Sequence, residues 1–134
     1  MKSAEDRVLE IIESLSDVNN RKFAVWCARR ANRDNIPAVA KYLDAAEAFY
    51  IFGTITEKEL NESRAEYCAG WEAAAISPNW LQECTAYKTS DWGAYKFPKY
   101  AAYNASYWAA KYEVVDWAAQ IEYLVGLNEL GNPS

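Results

Sequence analysis

The chain contains no histidine. That absence removes the commonest general base, the Ser-His and Cys-His nucleophile pairs, and the usual nitrogen ligand of zinc and iron. Cysteine is scarce as well. Cys27, Cys68 and Cys84 are odd in number, far apart and without a C-x-x-C pair, so neither a disulfide framework nor a zinc site is signalled, and they read as small buried thiols. Glycine totals five and proline four, with no Asn-Gly or Asp-Gly turn, no alternating β-branched run and no glycine-rich phosphate loop. No stretch approaches the roughly 18–20 apolar residues that span a bilayer, and "MKSAEDRVLE" lacks the basic-then-apolar order of a signal peptide. The expectation is a cytoplasmic protein with no membrane partner, no metal and no cofactor. Arginine stops at Arg64.

What is present is apolar and aromatic: 51% of the 134 residues are hydrophobic and 15% aromatic. At this length one domain hides roughly two-thirds of the surface of its unfolded chain, so a sizeable core is expected. The net charge of −5 argues against direct nucleic-acid binding. All six arginines lie in the first half, which leaves room for a local basic patch.

Periodicity predicts an all-α fold, a single domain over residues 1–134, with five to six helices around a long C-terminal one. Ser3 and Asp6 open a first helix through Val8, Ile11, Ile12 and Leu15, and "SDVNN" reads as its break. Residues 20 to 33 form the second, with Arg29, Arg30 and Arg33 in its last turn, where cations suit the helix dipole. Pro37 opens the third and Gly53 ends it. Thr56 and Glu59 make a capping box, flanked by the staple pair Ile55 and Leu60. Pro78 introduces a shorter fifth helix to about Tyr87, with "KTSDWG" as a connector.

From Pro98 onward, Tyr100, Tyr103, Tyr107, Ala110, Val114, Trp117, Ile121 and Leu124 recur by threes and fours. That spacing predicts one continuous seam on a single long helix. A second seam, Ala101, Ala105, Trp108, Tyr112, Val115 and Ala119, lies about 150° around it. Ser106, Glu113 and Gln120 form a polar stripe between the two. A helix apolar on both broad sides belongs in the middle of a bundle, or else uses its second seam to join another subunit as a homo-oligomer.

The best polar candidate is "RKFAVWCARRANR", where Lys22, Trp26, Arg29 and Arg33 are spaced by four, three and four, with Arg30 beside them. A ring flanked by guanidinium groups could stack a base and hold a phosphate of a nucleotide-like ligand, or anchor an acidic partner. The plainer alternative has Trp26 facing inward and the arginines capping a helix or pairing with acids such as Glu47 or Glu66. Trp80, Trp92 and Tyr95, at or near connectors, are further candidates for partner binding. The acidic group Glu57, Glu59, Glu62 and Glu66 suits a helix start and reads as solvated surface.

With "FAVWCARRA", "IPAVAKYLDAAEAFYIFGTITEKELNESRAEYCAGWEAA" and the later alanine-tryptophan-tyrosine tract in place, the chain resembles a loose family of small helical proteins found in phages and known in bacteria as immunity proteins. The likeness covers roughly residues 20 to 125. It is carried by Cys-Ala-x-Arg at Cys27 to Arg30, Ala-Ala-Glu at Ala45 to Glu47, and Gly-x-Ile-Thr-x-x-Glu-Leu at Gly53 to Leu60. Residues 77–98 depart from the family's alanine-rich run. The resemblance implies an all-helical protein without catalytic residues that acts by binding in contests between phages, bacteria and toxins, and no site residue carries over from it. The expectation is a non-enzymatic protein that inhibits or neutralises a protein target, one with a basic or nucleic-acid-binding face. Its alternatives are a sequestering protein for an anionic, nucleotide-like molecule, and an oligomeric structural protein.

Overall fold

Most helix starts lie where their capping residues place them. A computed structural model describes residues 2–33, 35–78 and 80–131, and within them the side chains of all but 80–82 and 128–131. Helix α1 spans Ala4–Ser14 and is capped by Ser3, whose hydroxyl accepts from the Asp6 N–H at 3.1 Å. Helix α2 spans Asp17–Ala31, and its cap is Ser16, which accepts from the Asn19 N–H. "SDVNN" is thus a cap and a first turn. Helix α3, Pro37–Glu47, runs into a π-turn over Ala48–Phe52 that Gly53 closes at φ 63°, a left-handed geometry glycine adopts without strain. Helix α4, Glu57–Ala74, opens on the predicted capping box with both halves made. The remaining helices are α5 (Trp80–Gly93), α6 (Pro98–Lys111) and α7 (Trp117–Gly131). Among the described residues there is no strand, so the fold is all-α.

Two expectations are overturned. "KTSDWG" is the last part of α5, and its Thr89 and Ser90 are fully buried. A polar run reads as solvated, but here it is packed against α2, where a Cβ on Gly93 would stand 2.7 Å from the Ala28 Cβ. The thiols differ too: Cys27 is buried, while Cys68 is exposed and Cys84 half-buried.

The larger correction concerns the C-terminal rod, which is two helices. Tyr112 leaves helical geometry, Glu113 turns left-handed at φ 55°, and Asp116 starts α7 by accepting the Ala119 N–H on its carboxylate at 2.8 Å. The supposed polar stripe bridges the break. Ser106 donates to Gln120 Oε1, and Gln120 Nε2 donates to the carbonyls of Ser106 (3.2 Å) and Val115 (3.1 Å), all buried.

Along α6 the two seams also exchange roles. Ala101 and Ala105 are fully buried, while Tyr100 is 63% and Tyr107 46% exposed. Small side chains let α6 approach α2 closely, which large rings would prevent. In α6 the alanine positions offered as a subunit interface are therefore consumed within the fold.

The helix in the middle is α2. Its Phe23, Ala24 and Cys27 join a core with Val8 and Ile12 of α1, Ala101 and Ala105 of α6 and Leu124 of α7. Its Val25 and Ala28 join a second core with Val39 and Leu43 of α3, Leu60 and Tyr67 of α4 and Tyr87 of α5.

Candidate functional site

The arginines of α2 part company in the fold. Arg21, 2% exposed, sends its guanidinium to the end of α5: Nη2 donates to the Lys96 carbonyl at 3.0 Å and Nη1 to that of Tyr95. The Tyr50 ring lies 4.2 Å below it. Burial lowers its pKa, and the negative end of a helix supplies the compensation. Asn20, fully buried, donates to the Ile12 carbonyl of α1 at 3.1 Å. Arg33, just past α2, donates to the carbonyls of Glu113 (3.1 Å) and Val114 (3.4 Å) beyond α6. Three side chains from one segment thus finish three neighbouring helices. Arg21 was no site candidate, yet its register with Ala24, Val25 and Ala28 was a visible signal of burial.

Of the predicted constellation, the fold keeps Trp26 and Arg30 together and disperses the rest. Arg29 bonds Asp44 at 2.8 Å, and also Glu47, both on α3. Desolvation opposes its charge, but the hydrogen bonds and the charges of Glu47 and Asp44 together raise its pKa. Lys22 is exposed and makes no ion pair among the described residues. No three-cation phosphate clamp is assembled, because successive arginines on a helix point to different neighbours.

Trp26 is half-buried and lies parallel to Tyr123 of α7, with centroids 4.2 Å apart and planes at 8°. The Arg30 guanidinium carbon is 5.3 Å from the Trp26 centroid. These groups line an open cleft of about 480 Å³ between α2 and α7, together with Ala119, Glu122, Gly126 and Leu127. Tyr123, which sequence reasoning missed, has its phenol pKa raised by desolvation.

Trp92 and Tyr95 stack on each other at 5.0 Å and line a separate cleft of about 360 Å³ with Tyr42, Arg64, Asp91 and Lys96. Arg64 Nε donates to the Tyr42 hydroxyl at 2.9 Å. Desolvation raises the Asp91 pKa against the pull of Lys88 and Arg64. The Trp80 side chain lies outside the described residues.

The acidic group at the start of α4 faces α3 across a groove of about 370 Å³. Asp44, Glu59, Glu62 and Glu66 line it with Ala45, Ala48 and Ile55, against the one cation Lys41, which bonds Glu66 at 2.9 Å. Among the described residues no three carboxylates or thiols are grouped to hold a metal ion. Local sequence showed the acids of α4 but not Asp44, brought opposite by the α3–α4 packing. No protein-family model, no curated protein and no solved structure matches this chain.

Proposed function

We propose that the protein works by binding rather than by catalysis, as a phage-type or immunity-like inhibitor whose acidic α3–α4 face covers a basic patch on a protein target. One observation carries this: four carboxylates and a single lysine line one groove beside the apolar Ala45, Ala48 and Ile55. The helix dipole accounts for acids in the first turn of α4, Glu57 and Glu59. It does not account for Glu62 and Glu66, which lie beyond that turn; Glu66 pairs with Lys41 and Asp44 of α3 with Arg29, which leaves Glu62 without an ion pair among the described residues. Phe52, 65% exposed in the π-turn between Ala48 and Ile55, adds a ring of the kind that anchors interfaces. Such a surface steers a basic partner inward and then occludes the face that the partner would use on nucleic acid.

The test uses the wild-type chain and a Glu59→Gln, Glu62→Gln, Glu66→Gln variant as paired baits in a host lysate, read by mass spectrometry. Basic proteins should be retained by the wild type and lost by the variant. They should also be lost from the wild type at ~0.5 M salt, where screening shortens to a few ångströms. Equal retention by both baits would rule out the acidic face as the binding surface.

A further inference from the structure

Nothing among the described residues requires glycine at Gly126. It lies inside α7, where glycine weakens a helix relative to alanine, and its φ is not in the left-handed region. Among the described residues, a Cβ built on it meets nothing within 4 Å. The contrast with Gly70 and Gly93 is direct: there a Cβ would come within 2.3 Å of the Tyr87 hydroxyl and 2.7 Å of the Ala28 Cβ, so a neighbour would have to shift. What a side chain on Gly126 would fill is the α2–α7 cleft, which it lines.

The same cleft holds the arginine of α2 that makes no hydrogen bond or ion pair among the described residues. Arg21 and Arg33 are taken by carbonyls, and Arg29 by carboxylates. Arg30 is exposed, with no hydrogen bond or ion pair among the described residues, only the Trp26 ring beneath it. A guanidinium is flat, so it can stack on a ring and still present its edge to an anion. Trp26 and Tyr123 are already held parallel, so no ordering of that wall is needed on binding. The lining also holds one carboxylate, Glu122, which disfavours a ligand carrying more than one negative charge. A volume of about 480 Å³ is within the ordinary range for a small organic molecule.

From these features we infer that the α2–α7 cleft is a binding site for a small, flat aromatic molecule bearing one negative charge. Its ring lies along the Trp26–Tyr123 wall over the bare backbone of Gly126, and its anion is held by Arg30. This site is separate from the α3–α4 face and goes beyond the protein-binding function. It also narrows the ligand: with one free cation, a polyphosphate is disfavoured.

The probe is 2-naphthoate, compared with uncharged 2-naphthamide and with ADP, titrated into the full chain by calorimetry and amide NMR. For a fragment of this size the expected dissociation constant is on the order of 1 mM or below. The largest shifts should fall at the Trp26 indole N–H and the amides of Ala119 and Gly126. Naphthamide and ADP should each bind at least ~10-fold more weakly, the equivalent of one charged hydrogen bond. Arg30→Gln should weaken naphthoate by a similar factor while leaving the fold intact. Gly126→Leu should abolish binding while its melting temperature stays equal or rises, since the new side chain enters open space.

Naphthoate binding unchanged in Gly126→Leu, or tighter ADP binding, would overturn the assignment. So would self-association that is lost in Gly126→Leu without any naphthoate binding, which would give the cleft to a second copy of the chain.

Discussion

Arg21 is a buried charge held by a helix end. Its donors reach the Tyr95 and Lys96 carbonyls, where the α5 dipole is negative, and Tyr50 covers one face of the guanidinium. Arg21→Met keeps much of the volume but strands those carbonyls. It should lower stability by roughly 2–4 kcal/mol in urea denaturation, the combined loss of charge-assisted hydrogen bonds and close packing. Arg21→Lys should lose nearly as much, since one ammonium cannot span the fork.

Tyrosines supply a second prediction. Desolvation raises the pKa of Tyr42, Tyr67, Tyr87 and Tyr123, and pushes Tyr103 up to about 12, aided by its hydrogen bond to Glu13. A group raised in the folded state adds stability that is complete below its unfolded value, about 10 for tyrosine, and is lost as pH rises through the folded one. The protein should therefore unfold cooperatively on the alkaline side of pH 10. Circular dichroism and phenolate absorbance should change together, and gradual ionisation with an intact helical signal would contradict this.

Glycine positions divide the helices by what they touch. Gly93→Ala forces a methyl into contact with Ala28 and the Ala24 carbonyl, 2.7 and 3.1 Å away, and should destabilise by roughly 1–3 kcal/mol. Gly126→Ala meets no described residue within 4 Å and should stabilise by about 0.5–1 kcal/mol. Thermal melts of the pair should move in opposite directions. Helix beginnings were legible because caps are local: Ser3, Pro37 and Thr56 each stand where a helix starts. The break between α6 and α7 was not legible, because threes-and-fours spacing persists through residues 112–116 even though the backbone turns there. Asp116 caps α7, and the Ser106–Gln120 bridge and Arg33 hold the corner from residues distant in sequence.

Across the whole molecule, α2 lines both cores, so neither can be lost without exposing it. Ile12→Ala in one core and Leu43→Ala in the other should each cost about 2–5 kcal/mol. Each should lower a single shared transition in denaturant, and separate transitions for the two halves would contradict the role of α2. The same centrality explains the scattering of the candidate site. Successive positions on a surrounded helix face different neighbours, so Arg21, Arg29, Arg30 and Arg33 end on α5, α3, the open cleft and the α6–α7 corner. Local spacing had placed Lys22, Trp26, Arg29 and Arg33 on one face, and only Trp26 and Arg30 work together.

The sequence by itself determined the helical class, the capped starts and the pairing of tryptophan with arginine on one segment, because each depends on residues within about two turns of one another. The tertiary structure decided which helix is central, which seam of the last third is buried and which arginine of α2 is left without a hydrogen bond or ion pair among the described residues. Those outcomes depend on how closely two backbones approach and which helix ends meet which side chains, distances that a one-dimensional pattern does not contain.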